Sequence, residues 1–154
     1  MISDIERHWM RKVIALSSAI GTLAATACSA AGLVLMPGLY EIEVRIDLPN
    51  VQNAAAPMVL TRCVGSADVE SGKAFFVLSD NPLKNCPLLD HQVTADTATY
   101  RIACPGPNMG SAVGVFDFTG SAYRGSIEMN MGGKNMIMSE TQVGKRIGEC
   151  TGAQ

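Results

Sequence analysis

Cysteine is the residue type whose number and spacing say most about chemistry in this chain. There are five, at Cys28, Cys63, Cys86, Cys104 and Cys150. A zinc site needs ligands two to four residues apart in pairs, and no two cysteines are that close. Cys28 lies at the exit of an apolar N-terminal stretch, which leaves an even set of four in the rest of the chain. Four cysteines in a small exported domain read as two disulfides. Cys86 and Cys104 stand nine residues on each side of Ala95. A hairpin turning at Ala95-Asp96 therefore brings them opposite to within one residue, and a bulge near the turn absorbs the offset. That leaves Cys63 for Cys150, closing a loop of nearly ninety residues. The competing pairing is Cys63 with Cys86 and Cys104 with Cys150. In a simple meander Cys63, Cys86 and Cys104 fall at one end. Cys150 must then return to that end by a bend at Gly144 or Gly148.

Methionine forms the second unusual constellation. Met129, Met131, Met136 and Met138 flank a turn at Gly132-Gly133-Lys134-Asn135. Centring that turn on Gly133-Lys134 sets Met131 opposite Met136 and Met129 opposite Met138, all on one face. Thioethers are soft ligands that suit Cu(I). The same residues also serve as adaptable core filler against Phe116, Phe118 and Tyr123. Catalytic material is scarce. His8 lies in the N-terminal stretch, so His91 is the one remaining imidazole. A triad needs base, nucleophile and orienting acid in contact. His91 instead alternates with Leu89 and Val93 on an expected strand. Glu41 and Glu43 share the face of a strand opposite its apolar side, which is normally solvated. Gly144-Lys145 lacks the glycine-rich approach of a phosphate loop. The expectation is a protein without catalytic residues and without a cofactor.

The N-terminal stretch sets the compartment. Arg11-Lys12 precedes an apolar run from Val13 to Ala27, diluted by Ser17, Ser18, Gly21 and Thr22, and small residues follow. A basic start, an apolar centre and a small-residue exit are the order of a signal peptide, here residues 1–31. Met10-Arg11-Lys12 is a compact start by itself, so Met10 is a candidate first residue. Cleavage after Ala30 or Ala31 removes Cys28 and releases a periplasmic or secreted protein. The alternative is lipidation. Ala25-Thr26-Ala27-Cys28 is a weak lipobox, and Ser29 after a lipidated Cys28 suits outer-membrane sorting. A lipid anchor at Cys28 is the expected route, if any, to the membrane. The single apolar run excludes a polytopic membrane protein. A net charge of -2 gives no basic footprint for nucleic acid.

The elements that must position these residues are strands. Of 154 residues 47% are hydrophobic and 17% charged, which suits one folded domain and not a disordered chain. Tyr40, Ile42, Val44, Ile46 and Leu48 alternate with Glu41, Glu43, Arg45 and Asp47, a half-buried strand. Further strands are expected at Met58 to Val64, Pro87 to Thr94 and Thr97 to Cys104. Between the first two of these, Ser66 is expected to cap a short helix through Gly72, with an extended run from Ala74 to Leu78. Gly120-Ser121 joins strands Ala112 to Thr119 and Ala122 to Met131 through a two-residue hairpin turn. That turn sets Asp117 opposite Arg124, Phe118 opposite Tyr123, and Phe116 over Gly125 as the aromatic cover a strand glycine needs. The inner face then carries Phe116, Phe118, Tyr123, Ile127 and Met129. About seven strands with mostly short turns predict an all-β antiparallel meander, either a curved sheet or a small up-and-down barrel.

These landmarks resemble a bacterial exported family, domain of unknown function 3617. The resemblance rests on Pro37-Gly38-Leu39-Tyr40-Glu41 at the start and the single cysteines at Cys63, Cys86 and Cys104. It also rests on Tyr123-Arg124-Gly125, and on Gly144-Lys145-Arg146-Ile147-Gly148-Glu149-Cys150 at the close. It covers Met36 to Cys150. This chain has Tyr40 where the family usually shows Trp, and Ala95-Asp96 where it usually shows Gly-Asn. The resemblance implies an envelope compartment and a fold, and no mechanism. The functional expectation is a non-catalytic exported cell-envelope protein that binds a small apolar ligand, a lipid or an envelope protein. The alternative is periplasmic Cu(I) handling through the methionines.

Overall fold

A computed structural model describes residues 35–49, 51, 56–107, 109–133 and 136–151. The expected signal peptide, the Met10 start, Cys28, and the turn residues Lys134 and Asn135 lie outside the described residues. The described chain forms strands β1 (Gly38–Asp47), β2 (Met58–Val64), β3 (Leu88–Val93), β4 (Thr97–Ala103), β5 (Ser111–Thr119), β6 (Ala122–Asn130) and β7 (Ile137–Gly148). One short helix, α1 (Ser66–Glu70), and two 3-10 turns at Lys73–Phe75 and Pro82–Asn85 lie between β2 and β3. The fold is all-β, with seven strands in one sheet in the order β2-β1-β7-β6-β5-β4-β3 and every pairing antiparallel.

That order is a meander whose first and last strands pair, opened between β2 and β3. The small barrel does not close, and parity is the reason. The antiparallel ladders make β2, β7, β5 and β3 run one way and β1, β6 and β4 the other. An odd number of strands cannot alternate around a ring. β2 and β3 therefore point in the same direction, and the chain between them must cross back over the length of the sheet. Residues 65–87 make that crossover.

The two central hairpins follow their turns. Gly120 takes a positive φ of 56°. From it Phe118 lies opposite Tyr123, Asp117 opposite Arg124, and Phe116 opposite Gly125. Across the next turn Met129 lies opposite Met138, and the Met131 N–H donates to the Met136 carbonyl at 2.9 Å. The β3–β4 ladder carries an extra residue at Asp90–His91, where Asp90 has φ 50°. Val93 pairs with Ala98, a register that would carry Cys86 to Pro105. The bulge moves Leu89 opposite Arg101 and so Cys86 opposite Cys104.

The crossover departs from its expected form. Gly65, not Ser66, is the N-cap of α1, and the Asp68 carboxylate accepts the Gly65 N–H at 3.0 Å. Lys73–Phe75 turns before the chain extends, so the expected straight run from Ala74 to Leu78 begins only at Phe76. The turn has a packing reason: it drops Ala74 and Phe75 onto the inner face of the sheet, where both are buried.

Phe75 rests on a row of rings that crosses the sheet. It stacks on Phe118 at 5.4 Å, meets Phe116 at 5.3 Å and takes Tyr123 edge-on at 5.3 Å. Tyr100, Phe116, Tyr123 and Tyr40 follow one another at centroid separations of 5.9–6.1 Å. Three of these rings cover a glycine on the neighbouring strand: Tyr100 over Gly114, Phe116 over Gly125 and Tyr123 over Gly144. A Cβ at any of the three would overlap the ring. Gly144 thus leaves room above β7 in which Tyr40 of β1 and Tyr123 of β6 touch.

Replacing Phe116 by Ala is expected to uncover Gly125 and strip a contact from Phe75, with a loss of about 3–5 kcal/mol in denaturant unfolding. Gly144→Ala is expected to cost about 1–3 kcal/mol by forcing Tyr123 aside. Losses below about 0.5 kcal/mol, the range of neutral surface changes, would show that the ring row is not core.

Candidate functional site

The most consequential polar group on the inner face is one that sequence reading passed over. Glu140 of β7 is fully buried. Its Oε1 accepts the Leu78 N–H at 2.9 Å and its Oε2 the Ser79 N–H at 3.0 Å. Gln142, buried beside it, donates its Nε2 to Glu140 Oε1 at 2.6 Å and to the Phe76 carbonyl at 2.9 Å. The Tyr123 hydroxyl donates to Gln142 Oε1 at 3.4 Å, and the Tyr100 hydroxyl to the Phe75 carbonyl at 2.6 Å. Side chains of β4 and β7 thus bond the backbone of Phe75–Ser79, a segment with no ladder of its own, and Tyr123 of β6 braces Gln142. A buried polar group is tolerated when its partners are complete. Here the irregular backbone and the buried side chains complete each other. The signal was present in the register: setting Met138 opposite Met129 on the inner face puts Glu140, two residues on, opposite Ile127 and also inside.

Burial pushes the Tyr100 phenol far above its ordinary range, and the Glu140 charge and Tyr123 add to the rise. Burial likewise raises Tyr123, against the lowering effect of Arg62. Burial also raises Tyr40, against Arg146. These phenols are protonated hydrogen-bond donors, with Tyr40 donating to the Met36 carbonyl at 2.6 Å.

The cysteines stand at opposite ends of the sheet. Cys63, near the end of β2, is bonded to Cys150, with Cα atoms 5.5 Å apart. Cys86 and Cys104 are bonded at the start of β3 and the end of β4, with Cα atoms 4.8 Å apart. The crossover returns the chain before β3 begins, so Cys63 and Cys86 are not at one end as a simple meander would have them. Cys150 reaches Cys63 by running on past β1, with a one-residue irregularity opposite Leu39–Tyr40 and no turn at Gly144.

The methionines do not share one environment. Met129 is buried and its sulfur accepts the Asn81 Nδ2 at 3.6 Å, while Met131 and Met138 are half-buried against the core. Met136 is 52% exposed. His91 is exposed at the β3 bulge, beside Gly72 of the crossover, so it does not alternate evenly with Leu89 and Val93. Glu41 lies opposite Lys145, and Glu43 pairs with Arg45 at 2.6 Å. Among the described residues no three His, Cys, Asp or Glu side chains are grouped to hold a metal ion.

The opening between β2 and β3 holds a cleft of about 380 Å³. Phe76, Val77, Pro87 and Leu88 supply apolar wall, and Arg62, Lys73 and Lys84 supply charge. Among the described residues no acidic side chain lines it. A larger depression of about 460 Å³ beside the β5–β6 hairpin contains Asp117, Arg124 and Lys145. In the ladders Arg124 stands opposite Asp117 and Lys145 opposite Glu41, so each of its cations has an acidic residue on the facing strand. The β2–β3 cleft is therefore the candidate site.

An open, seven-stranded antiparallel sheet with an inner-face crossover and two disulfides defines the structural class of this domain. Its family follows from comparison with known proteins. The family model described as "Protein of unknown function (DUF3617)" matches residues 35–150, and the chain belongs to that family. No curated protein and no solved structure matches it.

Glu140→Leu is expected to strand the Leu78 and Ser79 N–H groups and cost about 2–5 kcal/mol. Hydrogen exchange at those two amides is expected to rise before exchange in β5 and β6. Uniform exchange throughout the domain would refute a role for Glu140 in holding the crossover.

The tyrosines predict an alkaline limit. The folded state retains phenol protons that the unfolded chain releases above pH about 10. Their contribution is complete below that pH and is lost as pH rises beyond it, by about 1.4 kcal/mol per pH unit for each buried phenol. Unfolding free energies between pH 9 and pH 11 measure the slope, and Tyr100→Phe is expected to lower it.

Proposed function

We propose that this chain is an exported cell-envelope protein whose β domain is a non-catalytic binding module, with its ligand site in the cleft between β2 and β3. The observation that carries the compartment is the pair of disulfides, Cys63–Cys150 and Cys86–Cys104. Such bonds persist in oxidising surroundings. The leader-like order of residues 1–31 supports the same reading.

Binding rather than catalysis is supported by where the polar groups stand. Both oxygens of the buried Glu140 already accept N–H donors, and the deeply buried phenols are held protonated. The cleft offers apolar wall and charge within the range of small-molecule sites, about 300–1,000 Å³. A small apolar or amphiphilic ligand suits it better than a folded partner, which would need a far wider surface.

Intact-mass analysis of material from the periplasm tests the compartment. The expected mass begins near Ala31, or at a lipid-bearing Cys28. Peptide mapping without reductant is expected to recover Cys63–Cys150 and Cys86–Cys104 as linked pairs. A mass that retains Met1 to Ala27, or a linked Cys63–Cys86 peptide, would overturn the corresponding part of the reading.

A further inference from the structure

We infer that the β2–β3 cleft takes an amphiphile with a compact anionic headgroup, a phosphate or carboxylate on an apolar chain; this rests on the ligand-binding reading above. Arg62 is the central observation. It lies opposite Tyr40 in the sheet and two residues before the buried Val64, so it shares the inner face with the core. An inward-facing arginine normally meets a carboxylate, because a half-buried charge without a partner is costly. Arg62 makes no side-chain hydrogen bond or ion pair among the described residues. Arg45, Arg101 and Arg146 pair with Glu43, Asp90 and Glu149, and Arg124, which pairs with none, is exposed on the outer face, so Arg62 is set apart by its inward position.

The rest of the cleft agrees. Lys73 also enters no ion pair among the described residues, and Lys84 is held by Asp80, itself outside the lining. A protein of net charge -2 thus gathers three cations where, among the described residues, no acid lines the wall. The guanidinium fork matches carboxylate and phosphate oxygens. Phe76, Val77 and Leu88 lie along the same cleft and suit the apolar part of the ligand. An inorganic anion would leave that wall exposed, and a neutral lipid would leave Arg62 unmatched.

Calorimetric titration of the exported protein, with each probe below its micelle concentration, tests this. Dodecyl phosphate is the probe; inorganic phosphate, dodecyl maltoside and dodecyltrimethylammonium are the comparisons. One-to-one binding of dodecyl phosphate is expected, weakened roughly tenfold by Arg62→Gln and again by Lys73→Gln, the loss of one charge-assisted bond each. Arg62→Lys, which keeps the charge but not the fork, is expected to fall between the wild type and Arg62→Gln. Binding is expected to fall with added salt, and inorganic phosphate is expected to bind at least roughly tenfold more weakly. Thermal unfolding checks each variant. If Arg62→Gln does not fold, the exposed Lys73→Gln carries the comparison.

Equal binding of dodecyl maltoside, unaffected by either variant, would overturn the anionic headgroup while sparing an apolar-ligand site. Equal binding of inorganic phosphate would overturn the apolar chain. Equal or tighter binding of the cationic amphiphile would overturn the charge argument. Binding of none of the four would overturn both this inference and the ligand-binding reading, leaving export to stand on the mass measurement.

Discussion

The carboxylate of Glu140 is the fixed point of this domain. It lies in the apolar interior with both oxygens accepting backbone N–H groups from the crossover. Without those donors a buried carboxylate would be costly, and without the carboxylate the donors of Leu78 and Ser79 would be orphaned. Each side makes the other tolerable. The crossover can therefore lie on the sheet without strand pairing of its own, and Phe75 can seat among Phe116, Phe118 and Tyr123. The glycines beneath the rings complete the arrangement. Gly114, Gly125 and Gly144 lower the floor under Tyr100, Phe116 and Tyr123, making room for a layer of aromatic rings under the crossover.

The crossover also decides where the ends of the sheet fall. Because β2 and β3 run in the same direction, their edges cannot join as another antiparallel pair, and an opening remains between them. The same reversal sends Cys63 and Cys86 to opposite ends. One disulfide then ties the C-terminal end of β7 across β1 to β2, and the other ties the edge strand β3 to β4. The two outermost strands are thus each secured by a covalent bond. Edge strands are the least well held part of a sheet. In this domain they also border the cleft, so the bonds hold the walls of the candidate site.

Polar groups divide by face. On the outer face Asp117 stands opposite Arg124 and Glu41 opposite Lys145 across strands, in solvent. Such pairs contribute little individually and help to specify register. On the inner face the polar atoms of Glu140, Gln142, Tyr100 and Tyr123 are directed at backbone groups or at one another. Arg62 and Arg146 share that face outside the network; Arg146 is held by the Pro37 carbonyl and Glu149, whereas among the described residues the Arg62 side chain has no hydrogen bond or ion pair and borders the cleft.

What the sequence determined by itself was local. Gly120-Ser121 set the β5–β6 register, because a two-residue turn leaves one pairing and side chains alternate with period two. From it followed Phe116 over Gly125. The same logic at the next turn placed Met129 opposite Met138, and it already contained Glu140 inside the sheet and Gly144 under Tyr123, two consequences that went unread. The offset of Cys86 and Cys104 about Ala95 called for one extra residue, and the bulge at Asp90–His91 provides it. The tertiary structure alone decided the rest. Tyr100 over Gly114 depends on the β4–β5 register, which a long loop leaves open. The open sheet, the ends at which the cysteines fall and the cleft beside Arg62 depend on the path of residues 65–87. That path is set by contacts with strands up to 66 positions away in the chain, such as the Gln142 bond to Phe76. Turn chemistry and side-chain alternation act between neighbours, whereas a crossover is held by partners that no local pattern identifies.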